Sequence, residues 1–178
     1  MTQAAKVILL LGGVAPNGYD GWFTSSGMFM LRSRLLKIPG VSVSSYIWGS
    51  YGKAYNDLAS IPSGVKRIVI GYSGGGSRAT WVADMRPLQE IDLMVLYDPS
   101  PAWQMYPVTE NVKQVICYHN TKPNMPSPYG NLGGGEVKAV KDAHVNIQVR
   151  DIAEQHLLVQ TDSTLHDMTV DAVKKLIS

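Results

Sequence analysis

Short apolar runs, each closed by turn residues and separated by helix-compatible stretches, constrain this chain more than any other feature. Lys6 to Leu11 is almost wholly apolar and ends at Gly12-Gly13. Similar runs span Val41 to Trp48, Val65 to Tyr72, Leu93 to Tyr97, Val112 to His119 and Val145 to Ile152. A strand that is apolar at successive positions buries both of its faces, and that happens in a parallel sheet with helices on either side. The intervening segments fit those helices. Ser25 or Ser26 can cap a helix with Met28, Leu31 and Leu35 on one face, stopped by Pro39-Gly40. Tyr51 to Ser60 places Tyr51, Tyr55 and Leu58 together and ends before Pro62-Ser63-Gly64. Gly75 to Arg86 stops at Pro87, and Ser163 to Ile177 has Asp162 as its cap, with Leu165, Met168, Ala172 and Leu176 inward. The expected architecture is a three-layer α/β/α sandwich with a mostly parallel sheet of about six strands. Two segments break the alternation: Pro99 to Thr109, and Thr121 to Ala143 with Gly133-Gly134-Gly135.

A length of 178 residues suits one domain, 1–178, with no room for a separate lid. Lys and Arg number 16 against 14 Asp and Glu, a near balance that argues against a nucleic-acid partner. One cysteine, Cys117, excludes an internal disulfide and disfavours a Cys/His zinc site. The first apolar run is too short for a signal peptide or a membrane span, so a cytoplasmic protein is expected. Oligomeric state is not legible.

The third run leads into Gly71-Tyr72-Ser73-Gly74-Gly75, a G-x-S-x-G pattern. Composition alone would place such a pattern in about one chain in eight of this size, so its context matters. Here a buried strand precedes it and a helix follows. A sharp strand-to-helix turn lifts the serine hydroxyl clear, and the glycines two before and two after let strand and helix pass closely. The helix N-terminus then offers N–H groups to a developing oxyanion. The competing readings are a glycine turn with an idle serine and a phosphate-cradling loop. The latter lacks a Walker lysine and a G-x-G-x-x-G.

A serine nucleophile needs a base and an orienting acid, in this architecture met in the order Ser, acid, His. Sites in open α/β sheets lie at the carboxyl ends of the strands. Asp98 directly follows the fourth run, although an Asp-Pro turn is the plain alternative. Asp92 and Asp142 stand at amino ends, Asp84 belongs to a helix, and Asp151 is a weaker rival. Among the histidines, His144 is at the wrong end and His119 is early enough to line the pocket instead. His156, expected in a loop, is the favoured base, with His166 as the alternative. Backbone N–H groups of Gly13 or Val14, together with Gly74, would form the oxyanion hole.

These residues resemble the α/β-hydrolase superfamily, in a minimal form close in size to small bacterial lipases and cutinase-like enzymes. The likeness rests on Gly71-Tyr72-Ser73-Gly74-Gly75, the glycine loop after the first strand, Asp98 after a strand, and His156 before a final helix. It covers nearly the whole chain. Two leading antiparallel strands usual in the superfamily have no counterpart. The acid stands one strand earlier than in most members, since Cys117-Tyr118-His119-Asn120 offers no carboxylate. The resemblance implies acyl transfer through an acyl-serine, with Ser73 attacking, His156 moving the proton and Asp98 orienting it. It implies no metal or organic cofactor, and a small-molecule ester as substrate. Substrate-lining residues are expected to be Trp22, Phe23, Tyr72, Trp103, Met105, Tyr106 and His119. Thioester or amide cleavage by the same triad, or a non-catalytic binding module that keeps the strand-to-helix elbow at Ser73 as a turn, remain open.

Overall fold

The computed structural model describes residues 3–13, 24–85, 90–121, 126–127 and 130–178. Six parallel strands form the sheet in the order β2-β1-β3-β4-β5-β8. They are β1 (Ala5–Leu11), β2 (Val41–Ile47), β3 (Lys66–Tyr72), β4 (Leu93–Tyr97), β5 (Gln114–Asn120) and β8 (Asn146–Ile152). β6 (Pro126–Ser127) and β7 (Gly130–Asn131) pair as a small antiparallel hairpin inside the long segment after β5. The helices are α1 (Ser26–Leu35), α2 (Tyr51–Ala59), α3 (Gly74–Asp84), α4 (His156–Val159) and α5 (Ser163–Ile177).

Alternation along each strand divides the core in two. Val7, Leu9, Leu11, Ile68, Ile70, Val95 and Tyr97 pack with Met28, Leu31 and Leu35 of α1 and with Leu165, Val170 and Val173 of α5. Ile8, Leu10, Val69, Met94 and Leu96 pack instead with Ala54 and Leu58 of α2 and with Ala79 and Val82 of α3. Helices therefore cover both faces, and that is why the strands are apolar at consecutive positions. β2 and β8 are the edge strands, and β8 alone among the six lacks a buried residue. The chain runs from β1 outward to β2, then back across to β3, so the order reverses beside β1 and β3. Crevices at such a reversal hold the ligands of open α/β sheets.

Three local expectations shift. Trp48 leaves β2 and opens a 3₁₀ turn, Trp48–Ser50, ahead of α2. Val112 precedes β5 and meets Ile91 in an isolated bridge. The buried stripe of α5 is Leu165, His166, Thr169, Val170 and Val173, while Met168, Ala172 and Leu176 sit at its margin. The Asp162 cap forms as expected, its carboxylate accepting from the N–H groups of Thr164 at 2.7 Å and Leu165 at 3.2 Å.

Candidate active site

Ser73 is the hinge between β3 and α3, with φ 53° and ψ −124°. A non-glycine residue in that region costs roughly 1–3 kcal/mol, so its neighbours must impose it. The Ser73 N–H donates to Tyr97 O at 3.0 Å, and the Ser73 carbonyl accepts from Ser100 N at 3.1 Å and Gly76 N at 2.9 Å. The two motif glycines allow the close approach. A Cβ on Gly71 would lie 2.5 Å from Gly75 O, and one on Gly75 would lie 2.6 Å from Leu11 O. The start of α3 thus rests on the end of β1, a fit that no side chain larger than hydrogen permits.

Asp98 follows β4 and is also held at positive φ, 42°. It is fully buried. Its Oδ1 accepts from Gly134 N at 2.6 Å and from Asn120 N at 3.3 Å. Its Oδ2 lies 2.7 Å from His156 Nδ1. A carboxylate only accepts, so it fixes the imidazole proton on Nδ1 and leaves Nε2 free to accept. His156 Nε2 lies 2.9 Å from Ser73 Oγ. His156, 3% exposed, opens the short helix α4 instead of standing in a loop. Gln155 before it is extended, so the ring projects from a helix start toward the elbow.

Tyr72 was expected to line the substrate pocket, but it is 1% exposed. Its ring stacks on the His156 imidazole, with centroids 5.3 Å apart, and its hydroxyl donates to His156 O at 3.2 Å. It braces the imidazole from behind. His166 stands apart, its Nε2 donating to Gln160 O at 2.7 Å and its ring edge-on to Tyr97. Burial lowers its pKa despite that hydrogen bond. His119 lies on β5 behind the glycine run, between Asp151 at 3.1 Å and Gly134 O at 3.3 Å. With Cys117, Gly135, Glu136, Val137 and Val149 it lines a cavity of about 280 Å³. Burial, then the charges of Asp98 and Asp151, push the Cys117 thiol up to about 12, so it is not a thiolate at neutral pH. Asp92 is committed elsewhere, accepting from Arg67 N and from the ammonium groups of Lys66 and Lys113.

The glycine loop after β1 lies against the elbow. Gly13 has φ 142°, and its carbonyl oxygen is 3.0 Å from where a Cβ of Gly74 would stand. Gly12 N donates to the buried Ser25 Oγ at 3.0 Å, tying this loop to the start of α1. Gly74 N is the first N–H of α3 and has no partner within its helix. Trp103 packs its indole on Gly74 and on Trp48, the two ring centroids 4.5 Å apart. Met105 lies against Gly135. Tyr106 packs edge-on to Trp81 of α3. Val14, Trp22 and Phe23 lie outside the described residues.

Gly133-Gly134-Gly135 has a role that the sequence did not assign. A Cβ on Gly133 would lie 2.6 Å from Asp98 Cγ and would clash with both Asp98 Oδ2 and His156 Nδ1. Gly134 supplies the short N–H bond to Asp98, and Gly135 N donates to Pro99 O at 2.8 Å. The run therefore lies flat over the Asp98–His156 pair. Three adjacent glycines in an otherwise irregular segment were the available signal.

No family model matches the chain, and no curated protein matches it. Solved structures do. A protein described as a hydrolase of the α/β superfamily, from Xanthomonas campestris pv. campestris, is similar with a TM-score of 0.53 and 13% identity. The match covers 96% of this chain and 99% of that one. ClbQ from the colibactin NRPS/PKS pathway matches at a TM-score of 0.49 and 11% identity, covering 97% of this chain and 96% of its own. With its parallel six-stranded sheet, its strand order and its likeness to the Xanthomonas protein along nearly all of both chains, this protein has the fold of the α/β-hydrolase superfamily.

Proposed function

We propose that the chain is a serine hydrolase that cleaves carboxylic esters of small molecules through an acyl-serine. The observation that supports this best is the unbroken run Asp98 Oδ2, His156 Nδ1, His156 Nε2, Ser73 Oγ, with links of 2.7 and 2.9 Å. A solvated serine hydroxyl is a poor nucleophile. One whose proton points at an oriented, neutral imidazole loses it as the C–O bond forms.

Ser73 Oγ attacks the ester carbonyl carbon while its proton passes to His156 Nε2. Asp98, held by Gly134 N and Asn120 N, keeps the imidazole in the right tautomer and stabilises the imidazolium. The carbonyl oxygen becomes an oxyanion that accepts from Gly74 N and from the peptide after β1, at Gly13 or Val14. His156 then protonates the leaving oxygen and the alcohol departs. Water repeats the cycle on the acyl-serine. Trp103 and Met105 wall the site beside Gly74 and the glycine run.

Turnover of p-nitrophenyl butyrate tests the reading. Ser73→Ala and His156→Ala should each lower kcat/KM by more than about a thousandfold. His166→Ala should leave the rate within about threefold, because its Nε2 is bound to Gln160 O. A dead His166→Ala beside an active His156→Ala would reverse the assignment of the base.

A further inference from the structure

One cation on α3 takes no part in that chemistry. Arg78 stands five residues past Ser73, roughly 7.5 Å further along the helix axis. Its guanidinium carbon lies 3.7 Å from the ring centroid of Trp81, 5.0 Å from Tyr51, 5.3 Å from Trp48 and 5.9 Å from Trp103. Nε and Nη1 are enclosed and have no hydrogen-bond acceptor, so they face aromatic π clouds. Nη2 is the guanidinium nitrogen left to reach solvent. Among the described residues no carboxylate pairs with Arg78, whereas Arg34 and Lys66 each have one and Lys113 has two.

One wall of the aromatic box, Trp103, touches the elbow. Trp48 follows β2 and Trp103 follows β4, both at the carboxyl edge of the sheet. Trp103 Cδ1 and Nε1 each lie 3.3 Å from the point where a Gly74 Cβ would stand. An unpaired guanidinium partly shielded from water draws an anion more strongly than an exposed one, and its rigid mounting lowers the entropic cost of pairing.

We infer that Arg78 determines specificity: its outward Nη2 receives a carboxylate at the far end of the substrate, while Trp48 and Trp103 wall the apolar chain between that carboxylate and the ester. The inference rests on the hydrolase reading above and names its substrate class, the half-esters of dicarboxylic acids. A neutral ester of equal length leaves the cation unpaired.

The mono-p-nitrophenyl ester of adipic acid should be turned over with a kcat/KM about tenfold or more above that of methyl p-nitrophenyl adipate, the difference lying in KM. Added salt should shrink the ratio. Arg78→Met should bring it to about one, and Arg78→Lys should restore part of it. A binding arm needs no chemistry. On Ser73→Ala protein, monomethyl adipate should give a saturable change in tryptophan emission that dimethyl adipate does not give. Equal kcat/KM for the two esters, a preference that survives Arg78→Met in protein with native circular dichroism, or equal binding of the two adipates would overturn the inference. Carboxylate-dependent binding in a protein that hydrolyses neither ester would uphold the Arg78 site and count against the hydrolase reading alone.

Discussion

Ser73 keeps a backbone conformation it would not choose, and the residues around it with no side chain make that possible. The same logic governs Gly133. A methyl group there meets both Asp98 and His156, and the obstacle is that hydrogen-bonded pair itself, not the flexible end of a side chain. Gly133→Ala should therefore lower kcat on p-nitrophenyl butyrate by tenfold or more, about 1.4 kcal/mol of lost transition-state stabilisation, while the protein still folds. Steady-state kinetics beside a melting curve checks this; an unchanged kcat would mean the run does not hold the pair. Gly75→Ala acts elsewhere. Its Cβ would enter the backbone at the end of β1, so the expected loss is stability, on the order of 1–3 kcal/mol in chemical denaturation. A shift in activity alone, with no change in the denaturation midpoint, would contradict that.

Among the elements, α4 and α5 carry a polar tie that reaches across the molecule. Gln160, just after α4, accepts from Gly27 N through Oε1, donates to Thr24 O through Nε2, and receives His166 Nε2 on its carbonyl. Burial holds the His166 pKa below its ordinary value, so the folded protein binds this proton less readily than the unfolded chain. Stability from this group is then complete above the usual histidine range and declines as pH falls from about 6.5 toward the lowered folded value. Thermal melts from pH 7 downward should show that decline, and His166→Gln should flatten it. A slope unchanged in the variant would remove His166 as its source. The strands and α5 were legible in the sequence because their signals are local: β4 is apolar at every position and Asp162 caps its own helix. The ends of β2 and β5 were less so, since Trp48 and Val112 are good strand residues that tertiary contacts place in a turn and a bridge. Gly134 meets Asp98 from 36 residues away, a contact no periodicity encodes. Tyr72 carried an aromatic signal shared by pocket and core, and only the direction of β3 decides that it stacks on His156.

At the scale of the molecule, the strand order sets the site. β3 and β4 place Ser73 and Asp98 just past the ends of adjacent strands, α4 carries His156 in from beyond β8, and the glycine run crosses back from the segment after β5. Four separate parts of the chain thus converge at one sheet edge, and none supplies more than one of the three side chains proposed to act in catalysis. Among the described residues no helix is long and apolar enough to cross a membrane. We propose that this convergence activates one serine out of all those in the chain. Labelling by a fluorophosphonate, mapped by mass spectrometry, on the wild-type protein, Ser73→Ala and His156→Ala tests this. A single adduct on Ser73 is expected, absent from Ser73→Ala and formed far more slowly in His156→Ala. A folded protein that takes up no label, or takes it up equally well without His156, would contradict it.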